Sequence, residues 1–305
     1  MARYITKRII YGIMTLFIVM ALTFFLMQLI PGGPFLSEKA KSAATIQALE
    51  EKYGLDKPVA VQFKNYVVKI FQGDLGLSLK QRGRTVKDII FTCFPVSAGL
   101  GFFAMLAAVF IGIPLGSVAA LNRGKWLDNL IIVFSTMGIA IPGFITSAVL
   151  MYFLGVKWNL LPTNGLDSWK HYIMPVISLS LYPAAYIARL MRSSILDALG
   201  QDYMTTARAK GVSETKRLFK HAMRNAILPV VTYLGPAIAG IFCGSFIVEK
   251  IFTIPGLGSS FISSIVNRDY PLAMGTTIFY ASFLIVMNIL VDIVYKMIDP
   301  RIKLN

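Results

Sequence analysis

Six stretches of this chain contain no Asp, Glu, Lys, Arg or His: residues 9–30, 89–122, 129–156, 172–188, 225–248 and 270–291. At 1.5 Å per helical residue, about 20 residues cross a hydrocarbon core of about 30 Å. Runs of this length restrict the fold to membrane-spanning helices, because a soluble domain has no core deep enough to take them. The chain is 56% hydrophobic and only 15% charged, and the charges are clumped between the apolar runs instead of being spread over a surface. The sequence therefore predicts an all-α membrane protein with six transmembrane helices, forming one domain over residues 1–305.

Charge placement orients those helices. The formal net charge is +15, and an excess of Lys and Arg marks cytoplasmic loops. Arg3, Lys7 and Arg8 precede the first run, and Arg123 and Lys125 follow the second. Segment 189–224 carries Arg189, Arg192, Arg208, Lys210, Lys216 and Arg217, and the tail carries Lys296, Arg301 and Lys303. With six spans all of these fall on one side, which predicts both termini in the cytoplasm and ascribes the basic charge to topology, not to nucleic-acid binding. The first run ends in Pro31-Gly-Gly-Pro34, not a small-residue cleavage site, so it is expected to stay as a span instead of acting as a removable signal.

Three boundaries need argument. The fourth run is the shortest and is expected to continue as a helix to the cytoplasmic surface, with Arg189 and Arg192 snorkelling. A seventh charge-free run, 251–267, contains Pro255, Gly256, Gly258 and four serines. Such a helix would be weak in lipid, so it reads as an extracytoplasmic turn and short helix. Segment 31–88 is also basic yet falls outside, where long translocated segments are largely exempt from the charge rule. It reads as a helical insertion, with helices over 45–53 and 59–71.

The residues that would carry chemistry are missing from the pattern. The predicted span interiors hold no ionisable group of the kind used in proton or ion relays. No G-x-x-x-x-G-K-[ST] loop is present. Cys93 and Cys243 have no His or Cys at metal-ligand spacing and read as packing residues, while His171 and His221 at span boundaries read as structural. No catalytic, cofactor-binding or metal-ligating set is expected, and any energy for pumping must come from a partner.

Within 189–224, residues 201–211 read as a short helix beginning at Gln201–Asp202 and ending at Gly211, followed by a second helix over 213–223 with Ser213 as its cap. Ala207, Ala209 and Gly211 are small enough to let another surface approach the backbone. Composition alone fits a basic helix lying on anionic lipid heads. Of the prolines inside spans, Pro114, Pro142, Pro175, Pro183, Pro229 and Pro236, each reads equally as a hinge or as an ordinary membrane-helix proline. Gly112-x-x-x-Gly116 and Gly240-x-x-x-Gly244 fit close helix packing, and Asp292 fits an ion pair at a helix end.

Thr206-Ala-Arg-Ala-Lys-Gly211, followed by Arg217-Leu-Phe-Lys-His-Ala-Met-Arg-Asn-Ala-Ile-Leu-Pro229, resembles the cytoplasmic signature loop of ABC-importer permeases of the dipeptide/oligopeptide branch. The likeness runs along nearly the whole chain. It takes in Pro31-Gly-Gly-Pro-Phe35, Lys52-Tyr-Gly-Leu-Asp-Lys-Pro58, Gly73-Asp-Leu-Gly76 and Phe94-Pro-Val-Ser97. It continues through Glu249-Lys-Ile-Phe-Thr-Ile-Pro-Gly-Leu-Gly258, Asn267-Arg-Asp-Tyr270 and Asp299-Pro-Arg301. The general importer pattern E-A-A-x-x-x-G is matched only at Ala207 and Gly211, with Thr205 where its Glu would stand. The peptide branch's own T-A-R-A-K-G fits this stretch instead, and the chain is most similar to the first of the two membrane subunits of an oligopeptide permease.

The resemblance implies a type I ABC-importer permease fold in a bacterial inner membrane, with ATP and Mg bound by partner subunits. It implies a second homologous permease subunit, two ATP-binding subunits, an extracytoplasmic solute-binding protein and a peptide substrate. Thr205, Thr206, Ala207, Arg208, Ala209, Lys210 and Gly211 would form the helix that couples to the ATPase. Pro255, Gly256, Leu257 and Gly258 would form an extracytoplasmic gate, a binding-protein contact or an ordinary loop. Cargo of the same class extends to dipeptides, glutathione, nickel chelates and oligosaccharides. A rival of another class is a secondary transporter or channel acting without ATPase subunits.

Overall fold

A computed structural model of the chain describes residues 2–30, 56–213, 216–242 and 244–298. Among these residues regular structure is helical, apart from one isolated β-bridge between Leu77 and Thr85. The predicted helix over 45–53, Cys243 and the basic tail beyond 298 lie outside the described residues.

The first two helices set out the design. Helix α1 (Ala2–Gln28) carries Arg3, Lys7 and Arg8 in its first two turns and no charged residue beyond them, and α2 (Val59–Phe71), at the predicted bounds, lies against its second half. Phe63 packs 5.3 Å from Phe24, and Tyr66 stacks on Phe24 at 5.9 Å. Burial pushes the Tyr66 phenol well above its usual range. The connection then turns back, and Thr85 caps α3 (Val86–Leu121) by accepting the Asp88 backbone N–H at 3.0 Å.

Helices α3 and α6 (Trp169–Leu199) form the central pair. Their approach is as close as the glycines suggested. A Cβ on Gly112 would lie 2.7 Å from the Ala184 carbonyl oxygen, and one on Gly116 would lie 2.8 Å from the Met191 Cβ. At Gly240-x-x-x-Gly244 that expectation fails. Gly240 is exposed with nothing near it, while Gly244 adopts φ +94 and turns the chain.

The third predicted span is the main departure from a straight bundle. Residues 126–157 form α4 (Trp126–Ala140) and α5 (Gly143–Leu150), the latter continued by a π-helical turn over Met151–Lys157. The two arms meet at 98°. Pro142 has no N–H to continue α4 and disfavours helical backbone at Ile141, which is extended at ψ 117. Among the described residues five helices are long and apolar enough to cross a membrane, and counting the bent pair as one span makes six. Pro175, Pro183, Pro229 and Pro236, by contrast, lie inside unbroken helices.

The fourth predicted span does run on, as expected, with α6 ending at Leu199. His171 has a structural role at its start, where Nδ1 accepts the Ser168 backbone N–H at 3.1 Å. Arg192 does not snorkel. It makes a two-pronged ion pair with Asp128, at 2.6 and 2.8 Å, and Asp128 is buried and also accepts the Gly124 N–H.

After α7 (Asp202–Ala209), a π-helical turn over Arg217–Ala222 runs into α8 (Met223–Phe242). Short helices α9 (Phe246–Ile251) and α10 (Leu257–Val266) precede the final helix, α11 (Tyr270–Ile298). Ten residues make α10 too short to span, in keeping with the reading of 251–267. Arg8 and Asp292 pair at 3.0 Å, joining the start of α1 to the far part of α11 and giving Asp292 the expected partner. That pair, the Asp128–Arg192 pair and segment 202–217 define a basic end of the bundle.

At the opposite end, Asp269 ties the inserted segment to α11. Its carboxylate accepts from the Ser78 hydroxyl and from the backbone N–H groups of Leu79 at 3.0 Å and Lys80 at 3.4 Å. It is also buried, just ahead of Tyr270. Asp269→Ala would remove the acceptor of the Ser78 hydroxyl and the Leu79 N–H, a loss of about 2 kcal/mol. We expect faster limited proteolysis within 77–84 in the variant, with the rest of the cleavage pattern unchanged.

Candidate functional site

The sequence singled out two segments, and the structure places them at opposite ends of the molecule. Helix α7 begins after Gln201 and ends within the predicted segment. The Val212 N–H reaches back to the Ala207 carbonyl at 3.2 Å, and Gly211 adopts φ +73, the left-handed turn that closes helices.

This helix has two faces. Met204 and Ala207 are buried, and Met204 joins the cluster of Ile195, Ala198, Ala222 and Ala226. Thr205, Thr206, Ala209, Lys210 and Gly211 are exposed. The backbone at Arg208 belongs to the same helix. Of the three small residues expected to admit another protein, Ala209 and Gly211 face outward and Ala207 faces the bundle. The helix is therefore braced from behind: Tyr203 is held by Asn225, whose amide donates to its hydroxyl at 3.0 Å. The buried side of α7 thus packs against the end of α6 and the start of α8.

At the opposite end, Pro255 is exposed, but Gly256, Leu257 and Gly258 are buried. What they enclose is Glu249, which is fully buried. The Ser97 hydroxyl donates to Glu249 Oε1 at 2.7 Å and accepts the Leu257 N–H at 2.8 Å. The Ser259 N–H donates to Oε2 at 2.8 Å, and the Gly258 N–H also points to this carboxylate. A Cβ at Gly256 would overlap both the carboxylate and the Ser97 hydroxyl, and one at Gly244 would overlap Oε1. Three glycines therefore let the main chain wrap one acid. This knot joins α3 to the turn between α9 and α10.

Residue-by-residue reading of the sequence did not give Glu249 a role. The signals were present: an acid directly after an apolar run, glycines before and after it, and Ser97 within a second matching motif.

Two family models match. The model described as "Binding-protein-dependent transport system inner membrane component" covers residues 112–304, and its N-terminal companion covers residues 1–100. The dipeptide transport system permease protein DppB of Bacillus subtilis (strain 168) is 45% identical over 305 residues, covering 100% of this chain and 99% of that protein. The oligopeptide transport system permease protein OppB of Haemophilus influenzae is 40% identical, covering 99% of this chain and all of that protein. Among solved structures, a chain of the MetNI methionine ABC transporter in inward-facing conformations superposes with a TM-score of 0.54 at 16% identity. It covers 70% of this chain and 97% of its own length, which makes the fold that of a type I ABC-importer permease. With both ends of the sequence matched and relatives aligned along its whole length, the chain belongs to the inner-membrane components of binding-protein-dependent transport systems.

Proposed function

We propose that this chain forms half of the translocation pathway of an ATP-driven peptide importer and is itself not catalytic. A second, homologous permease subunit supplies the other half. Two ATP-hydrolysing subunits, which hold ATP and Mg, supply the energy, and an extracytoplasmic solute-binding protein delivers the cargo. The basic end faces the cytoplasm, with both termini, following the excess of Lys and Arg there.

The observation that carries this reading is the two-faced helix α7: a short helix with an exposed outer face and a back wedged into the ends of α6 and α8. Seated in a groove of an ATPase subunit, it turns closure of the ATPase pair into movement of the spans. The turn at Pro255 exposes one residue to a binding protein and commits the rest to the Glu249 knot. Peptide cargo is supported by the relatives, which are permeases of dipeptide and oligopeptide transport systems.

The test is reconstitution with a second permease subunit, ATP-hydrolysing subunits and a solute-binding protein that co-purify with it. Uptake of di- and oligopeptides is expected only with ATP and binding protein. Gradient-driven uptake by this chain alone would instead favour a secondary transporter. Supplying glutathione, a nickel chelate and an oligosaccharide in parallel identifies the cargo within the class.

A further inference from the structure

A helix facing lipid should expose apolar side chains at every depth, and α3 does so through Phe102, Phe103, Leu106, Phe110 and Leu115. Helix α6 does not. From its midpoint to the basic end its exposed residues include Tyr182, Tyr186, Arg189, Ser193 and Asp197. Their spacing of four, three, four and four puts them in one row. The neighbouring α8 exposes Asn225, Pro229, Thr232, Pro236 and Gly240 at the same spacing, and that row holds no large apolar side chain.

The two rows meet at a stack of three tyrosines. Tyr186 lies on Tyr233 with ring centroids 4.4 Å apart, and Tyr182 continues the stack at 6.3 Å. The Tyr182 and Tyr186 hydroxyls make no hydrogen bond among the described residues, and Arg189 has no acidic partner there. In hydrocarbon the two hydroxyls would be left unsatisfied and Arg189 would be a charge without a counter-ion, so this face needs water beside it.

From this we infer that the Tyr182–Tyr186–Tyr233 stack, with Thr232 beside it, is a cargo-contact surface on the wet wall of the translocation pathway. This rests on the importer reading above. Stacked phenols suit peptides of varied sequence. Ring faces accept peptide planes and apolar or aromatic side chains, while the hydroxyls donate to or accept from any backbone amide. Recognition of this kind needs no fixed charge and discriminates little between side chains.

The experiment uses the assembled complex, with Cys93→Ala and Cys243→Ala as background. Single cysteines replace Tyr186 or Phe110, and each is treated with a charged, membrane-impermeant thiol reagent. This is done without nucleotide and with ATP trapped by vanadate. Y186C should label at least about tenfold faster than F110C in one of the two states, as expected for water-facing against lipid-facing positions. A dipeptide or oligopeptide that the parent complex imports should slow that labelling. No labelling in either state, or labelling that such a peptide does not slow, overturns the proposal.

A second arm avoids the cysteine background. Tyr186→Leu should raise the apparent KM for peptide uptake by about three- to tenfold, the worth of an aromatic stacking contact, while Tyr186→Phe retains most of it. An unchanged KM in Tyr186→Leu also overturns it. Whether the unsubstituted complex shows ATP-dependent peptide uptake separately decides the importer reading.

Discussion

Replacing Glu249 with Ala is expected to destabilise the protein by about 3 kcal/mol or more, since leaving buried donors without an acceptor costs about 1–3 kcal/mol each. The Ser97 hydroxyl and the Ser259 and Gly258 N–H groups would all lose their acceptor together, inside a site that three glycines close to replacement contacts. Glu249→Gln tests the direction of those bonds. Its carbonyl oxygen can still accept from Ser97, but its NH2 would then face main-chain N–H groups, donor against donor, so an intermediate loss of about 1–2 kcal/mol is expected. Gly256→Val should resemble Glu249→Ala, because its side chain displaces the carboxylate from the same pocket. Thermal unfolding of the detergent-purified complex ranks the three. A Glu249→Ala protein as stable as the parent would show that the knot is dispensable for folding.

Much of the architecture was readable because lipid enforces simple rules. Six apolar runs gave six crossings, α2 appeared at its expected bounds, and Gly112 and Gly116 pack α3 on α6 as their spacing suggested. The errors have local causes. A hydropathy run treats 129–156 as continuous, but one proline after Ile141 suffices to bend it through 98°. Glycine spacing at 240 and 244 imitates a packing motif, yet φ +94 at Gly244 serves a turn around a carboxylate 152 positions away from Ser97, its hydroxyl partner. Such partnerships depend on tertiary contact and leave no periodic trace.

The ionisable groups show the same division. Loops accounted for the charge by topology, but not for which charges pair. Asp128 with Arg192 and Arg8 with Asp292 bind helix ends at the basic end, while Glu249 and Asp269 bind main-chain N–H groups at the other. Both ends are thus held by buried or half-buried acids, and between them the exposed face of α6 carries Tyr182, Tyr186 and Arg189, whose polar groups have no hydrogen-bond or acidic partner among the described residues. That distribution suits a permease whose ends must stay assembled while a wet wall is exposed alternately to the two sides.

Two substitutions two residues apart in α7 should separate coupling from folding. Ala209 lies on the exposed face, so Ala209→Trp has room in this chain and is expected to leave membrane abundance and thermal stability within about 0.5 kcal/mol of the parent. If the outer face docks on an ATPase, the indole would hold the two surfaces apart, and ATP-dependent uptake should fall at least about tenfold, the effect of losing 1.4 kcal/mol or more of contact. Ala207 is 9% exposed on the opposite side of the helix. Ala207→Trp should therefore overpack the contact with the bundle and cost about 1–3 kcal/mol of stability even in the isolated subunit. The informative result is the crossed pattern: Ala209→Trp stable but uncoupled, Ala207→Trp unstable on its own. Full uptake by a correctly inserted Ala209→Trp complex would remove α7 as the point where force enters, because no partner could then be seated closely on that face.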